Sequence, residues 1–253
     1  MIDSAFRRDR ALVALGLSAV ATLAWAYIVE IGRTMSSGFA MAMPMPGDAA
    51  APGLGYLIPM WIIMMVAMMI PSAAPMILLF AGVVRRRRAA GIPTASAAVF
   101  TLGYLLVWAL YAVVAAVAQW RLHRFALLSP AMASASPWLG GGLLILAGVY
   151  QWLPFKGACL SHCRSPLHFF SSHWREGNLG ALLMGVRHGS YCVGCCWALM
   201  ALLFVAGVMN LLWVAAIAIL VLAEKLVPNG RELGRAAGVV MVAWGVWIVA
   251  AGR

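Results

Sequence analysis

Three of the chain's five cysteines lie in one short stretch, residues 187–200, which reads Arg-His-Gly-Ser-Tyr-Cys-Val-Gly-Cys-Cys-Trp-Ala-Leu-Met. In a helix, at about 100° per residue, His188, Cys192, Cys195 and Cys196 fall within roughly 100° of one another on a single face. The other two, Cys159 and Cys163, are four residues apart with His162 beside them, which also turns both sulfurs to one side of a helical turn. Thiolates select Cu(I), zinc or iron–sulfur centres, and the metal itself lowers the thiol pKa enough to deprotonate it. Two thiol groups on separate segments, each with a histidine nearby, form the pattern of one shared soft-metal or redox site. A single free cysteine is commonly just a small buried hydrophobe, but five confined to two short segments argue against that account.

Other residues bear on the same chemistry. His188, one turn before Cys192, is a candidate nitrogen ligand, with a hydrogen-bonded helix histidine as the alternative. His162 is a second candidate, whereas His168 and His173 read as loop histidines. At helical spacing Met60, Met64 and Met68 make one stripe, and Met65 and Met69 make a second beside it. Methionine fills irregular gaps between helices, so packing is one reading of Met64, Met65, Met68 and Met69. Thioethers also bind Cu(I) and hardly bind zinc, so a functional stripe would favour copper. Residues 41–46, Met-Ala-Met-Pro-Met-Pro, cannot pack as a helix and would display their thioethers on an extended segment. With the stripe they could form a relay between that loop and the cysteines.

The elements that must position these groups follow from composition. The chain is 64% hydrophobic and 10% charged, with a mean hydropathy of +0.94, outside the range of a soluble globular domain. The expected fold is all-α, a polytopic helical membrane protein forming one integral domain over residues 1–253, with no soluble domain. Apolar runs at 11–31, 55–84, 94–119, 138–153, one through the cysteine stretch to about 208, 211–223 and 236–250 give seven transmembrane helices. A signal peptide competes for the first run, since 40–42 resembles a cleavage site, but the run exceeds the roughly 7–15 residues of a signal core and reads as a retained helix. Pro71 should kink the second span, and Gly140, Gly141 and Gly142 allow close helix contact in the fourth. Residues 154–178 read as a connection.

The net charge of +11 does not point to nucleic acid, because the basic residues cluster between apolar runs. With the N-terminus cytoplasmic, the inner segments hold Arg7, Arg8, Arg10, Arg85 to Arg88, Lys156, Arg164, Arg175, Lys225, Arg231 and Arg235; the outer ones hold only Arg33, Arg121, Arg124 and Arg253. That asymmetry puts both cysteine groups near the cytoplasmic face, where thiols stay reduced. Arg187 reads as a snorkelling side chain, with pairing to a carboxylate as the alternative. Glu224 and Lys225, ending the sixth span, read as an interfacial ion pair, with Glu224 as a proton or metal group the alternative.

Residues 64–71, 150–166 and 188–200 resemble the signatures of a bacterial family of predicted metal-binding integral membrane proteins, formerly a domain of unknown function. A copper-chaperone role has been attributed to a tyrosinase-associated branch of it. The resemblance covers about 55–235; residues 1–54, the first helix and the Met/Pro-rich loop, lie outside it. It implies metal binding and copper delivery, in a multi-pass protein of the bacterial inner membrane.

Two functional classes compete. One is a membrane protein that holds Cu(I) on Cys159, Cys163, Cys192, Cys195 and Cys196 and passes it to a partner cuproenzyme, its expected partners being that client or a metal donor protein. The other is a membrane thiol–disulfide oxidoreductase using the same cysteine pairs. A structural zinc or iron–sulfur protein stands behind both, and would need four closed ligands. The sequence has no carboxylate pair, serine–histidine arrangement or phosphate-binding glycine loop, so hydrolase and nucleotide chemistry have no support.

Overall fold

The structure is a computed structural model that describes residues 2–36, 53–92, 94–129 and 132–252; the Met-Pro segment 41–46 lies outside the described residues. The described residues form ten helices: α1 Ile2–Ser36, α2 Leu54–Ala89, α3 Ala97–Arg124, α4 Pro137–Tyr150, α5 Pro154–Arg164, α6 Pro166–His173, α7 Gly177–Ala201, α8 Leu203–Ala206, α9 Leu211–Leu226 and α10 Gly230–Ala251. Five are long and apolar enough to cross a membrane, and α4 with α5, bent by 66° at their junction, make a sixth candidate. The remaining run of the sequence reading, 211–223, is α9, whose 16 residues rise only about 24 Å at 1.5 Å each.

Helix α2 is the centre of the bundle. Within its most apolar stretch 56% of residues are buried, against 11% in α1. It packs on α1, α3 and α9, and it continues through Pro59, Pro71 and Pro75 without a break. Pro71 has no N–H to give to the carbonyl of Ala67, four residues back. The indole of Trp25 on α1 donates to that oxygen instead, at 3.1 Å. The backbone defect is repaired by a neighbouring helix, as apolar surroundings require.

The pairs α3/α7 and α4/α10 touch backbone to backbone. A Cβ at Gly103 would strike the carbonyl of Leu182, and one at Gly185 the carbonyl of Phe100. Gly141 and Gly245 face each other's carbonyls at 2.6–2.7 Å from the site of a Cβ, and Gly148 and Gly238 do the same one heptad on, at 2.7–2.8 Å. Of the triple glycine at 140–142, only Gly141 makes such a contact; nothing lies within 4 Å of Gly142. Small residues let helices approach where no hydrophobic gradient drives them together.

Residues 154–173 are helical, not an irregular connection. Each piece begins at a proline, which is suited to the first helical position and forces the residue before it out of helical geometry. Leu153 accordingly has φ −65° and ψ 137°, and Ser165 has φ −118° and ψ 70°. The bend this makes after α4 lays α5 across α7.

The basic residues sort by end. At one end Arg87 pairs with Glu176 and lies 4.9 Å over the ring of Trp174. At that end too, Arg164 donates to the backbone oxygens of Glu224, Val227 and Pro228 at 2.9, 2.7 and 2.6 Å. This ties α5 to the turn between α9 and α10. At the other end the N–H of Ser134 meets the Phe204 carbonyl, and Leu211 packs over Gly32 beside Arg33.

Candidate metal centre

The crossing of α5 over α7 brings the two cysteine groups together. Cys192, Cys195 and Cys196 are buried on one face of α7 with His188, as the helical spacing implied. The thiols of Cys195 and Cys196 both donate to the Cys192 carbonyl, at 3.1 and 2.9 Å, folding them back toward the turn that carries Cys192. From α5, the partly buried Cys163 packs against the same core cluster that holds Cys192, Cys195 and Cys196. Cys159, one turn earlier, lies against Gly194, where a Cβ would sit only 2.8 Å from its sulfur. All five thiols are free.

Cys192 is the most heavily engaged. The Nζ of Lys225 on α9 lies 2.9 Å from its sulfur and 3.0 Å from the Ser72 hydroxyl on α2. The Tyr104 hydroxyl, from α3, lies 3.1 Å from the same sulfur and donates to the Met69 carbonyl at 3.2 Å. Side chains from α3 and α9 therefore meet one thiol of α7, and both are held in turn by α2. Among the described residues no three His, Cys, Asp or Glu side chains are already spread around a common ion position. The thiols of Cys195 and Cys196 point at backbone, so an ion would enter by turning side chains, with the helices already in place.

The histidines separate. His188 is buried between the rings of Tyr104, Phe100 and Phe169, at centroid distances of 5.4, 6.1 and 5.7 Å, and its Nδ1 has no hydrogen-bond partner among the described residues. A buried imidazole nitrogen left unpaired carries a desolvation cost that a metal or a proton donor would relieve. His162 turns away from the thiols: its Nδ1 meets the Ala158 carbonyl at 2.9 Å and its ring stacks 4.3 Å from that of Tyr191. Its other ring neighbours are His168 and His173, both at 6.5 Å, on helix α6 and not in a loop. Met64, Met65, Met68 and Met69 are all fully buried in the core of α2.

One expectation about charge is corrected. Glu224 and Lys225 do not pair with each other, since neighbours in sequence point to different sides of a helix. Glu224, only 1% exposed, takes both oxygens to Lys156 Nζ on α5 at 2.8 and 2.7 Å, and Lys156 also donates to Gln151. Lys225 goes to Cys192. Both side chains are buried. Arg187 meets the Tyr191 hydroxyl at 3.3 Å and stands 6.0 Å over its ring. A cavity of about 380 Å³ opens beside the Lys156–Glu224 pair.

Sequence reasoning missed Lys225 and Tyr104 as neighbours of the thiols, and Ser72 as the partner of Lys225. The signal for Lys225 was present: an ammonium on an otherwise apolar helix asks for a buried partner. Nothing in the sequence marked Tyr104 or Ser72.

These features define an all-helical protein, with several helices able to cross a membrane, built around a thiol cluster where α5 crosses α7. The family model PpoB2, described as a copper chaperone, matches residues 58–248, from the first turns of α2 into the last turn of α10 and including all five cysteines. The chain belongs to this copper chaperone family. No curated protein matches it, and no solved structure does.

Proposed function

We propose that the chain is an integral membrane Cu(I) chaperone that accepts copper on its cysteine thiolates and hands it to a partner cuproenzyme. The observation that carries this reading is the seat of the Cys159 sulfur against Gly194, between Cys192 and Cys195 on α7, which joins the two thiol groups across two helices. Cu(I) needs few ligands and prefers soft sulfur. It can move by exchange, one thiolate of the acceptor joining as one thiolate of the donor leaves, without becoming free and without changing oxidation state. Each incoming thiol gives up its proton as it binds, and each departing thiolate takes one back.

In this reading Cys159, Cys163, Cys192, Cys195 and Cys196 hold the ion, with the unpartnered Nδ1 of His188 beside them. His162 acts at the outer edge of α5, and the buried thioethers of Met64, Met65, Met68 and Met69 extend a soft path along α2. The protein sits in the bacterial inner membrane with its N-terminus in the cytoplasm and crosses seven times. The bent α4/α5 pair and the short α9 account for two of those crossings. The thiol end faces the cytoplasm, with the larger share of basic residues.

The test is metal analysis of the protein purified anaerobically in detergent from copper-supplemented cells, beside a variant with all five cysteines changed to serine. Near-stoichiometric copper that disappears in the variant supports the reading. Absence of metal from both, together with a disulfide between the α5 and α7 cysteines, overturns it in favour of a thiol–disulfide oxidoreductase.

A further inference from the structure

Lys225 stands where an ordinary thiol cluster would have another soft donor. Its Nζ is in hydrogen-bond contact with Cys192 and with Ser72. The side chain is buried, at 7% exposure. The only carboxylate on α9, Glu224, is paired with Lys156. Among the described residues Lys225 has no carboxylate in salt-bridge contact, and its nearest hydrogen-bond partner is the Cys192 sulfur at 2.9 Å. A buried charge without a counter-charge is costly, and the site it faces must provide one.

We propose that Lys225 is the residue that sets the charge, and so the identity, of the ion this centre accepts. The inference rests on the copper reading above. A monovalent ion held by two thiolates carries a net charge of −1, and with Lys225 the buried assembly is neutral. A divalent ion on the same two thiolates is neutral by itself, and Lys225 leaves the assembly with an uncompensated +1. A divalent ion can restore balance only by recruiting a third thiolate, and zinc wants four donors in a closed tetrahedron. Lys225 and Tyr104 occupy two approaches to the Cys192 sulfur, which narrows the space in which a four-coordinate ion bound there could sit. Charge and crowding both favour a two-coordinate monovalent ion. The ammonium itself never leaves; Ser72 holds it when the sulfur turns to the ion.

The experiment measures Cu(I) and Zn(II) affinity by competition with chelators, on the full-length protein in detergent, for wild type, Lys225→Met, Lys225→Arg and Ser72→Asp. Ser72→Asp keeps the lysine in place and neutralises it locally, so the inference does not depend on one substitution being tolerated. Both neutralising variants should weaken Cu(I) binding by on the order of a hundredfold, the scale of an uncompensated buried charge. They should also shift the Cu(I)-to-Zn(II) preference toward zinc. Lys225→Arg should hold the preference within about tenfold of wild type, since the charge stays while the geometry changes. A Cu(I)-to-Zn(II) ratio unchanged in both Lys225→Met and Ser72→Asp, in protein that still binds copper, overturns the role of Lys225 and leaves the chaperone reading standing. Wild-type protein that takes up no copper overturns both.

Discussion

The sulfur of Cys159 rests against the bare backbone of Gly194, so close that a methyl group on that residue would lie 2.8 Å from it. The contact fixes how near α5 can come to α7, and through α5 it fixes the approach of Cys163 to the cluster that holds Cys192 and Cys195. The Tyr150 hydroxyl, at the end of α4, also donates to the Gly194 carbonyl, so the same residue anchors the bend between α4 and α5.

Gly194→Ala should therefore push Cys159 outward. The measurable result is faster alkylation of Cys159 by a membrane-impermeant maleimide in reduced protein, and less copper retained after chelation. Gly82→Ala is the control: it lies in α2 with nothing within 4 Å of the new methyl. It should leave both readouts unchanged and add the usual helix gain of up to about 1 kcal/mol. Equal effects of the two substitutions would mean that the Gly194 contact has no special role.

How far the sequence reached depended on what fixes each feature. The faces of the cysteine helices follow from periodicity alone, so the grouping of His188, Cys192, Cys195 and Cys196 was legible before any tertiary structure. Their meeting with the cysteines of α5 was a geometric expectation, and the two prolines that start α5 and α6 are what realise it. The partners of Glu224 and Lys225 were not legible. Adjacent residues on a helix look in different directions, and which neighbour each meets depends on where α5 and α7 lie around α9. Tyr104 became a neighbour of a sulfur, and Ser72 a partner of Lys225, only through the close α3/α7 and α2/α9 packing, which no local pattern encodes. His162 was read by its place between two cysteines, yet a turn of 100° per residue carries it away from both sulfurs toward Tyr191.

The buried Lys156–Glu224 pair gives a second prediction. With side chains 4% and 1% exposed, removing one partner strands the other in an apolar bundle, at about 3–5 kcal/mol. Lys156→Met or Glu224→Met should thus lower the thermal unfolding midpoint in detergent sharply. The double variant should recover most of the loss, because neither charge is then left alone. Additive losses would show that each side chain acts through other contacts, Gln151 being the first to examine.

A double-mutant cycle can isolate the repair of α2 at Pro71. The Ala67 carbonyl accepts from Trp25 because proline cannot supply the amide four residues on. Trp25→Phe keeps most of the ring and removes the donor, and should cost about 1–3 kcal/mol through the stranded carbonyl. In a Pro71→Ala background the restored backbone N–H takes over that oxygen, and Trp25→Phe should cost little beyond lost packing. The expected coupling is on the order of 1 kcal/mol, within the range that contacting residues show. It would be read from unfolding of the four proteins in the same detergent. A cycle that closes to zero would mean that the indole hydrogen bond contributes nothing to how α1 is held against α2.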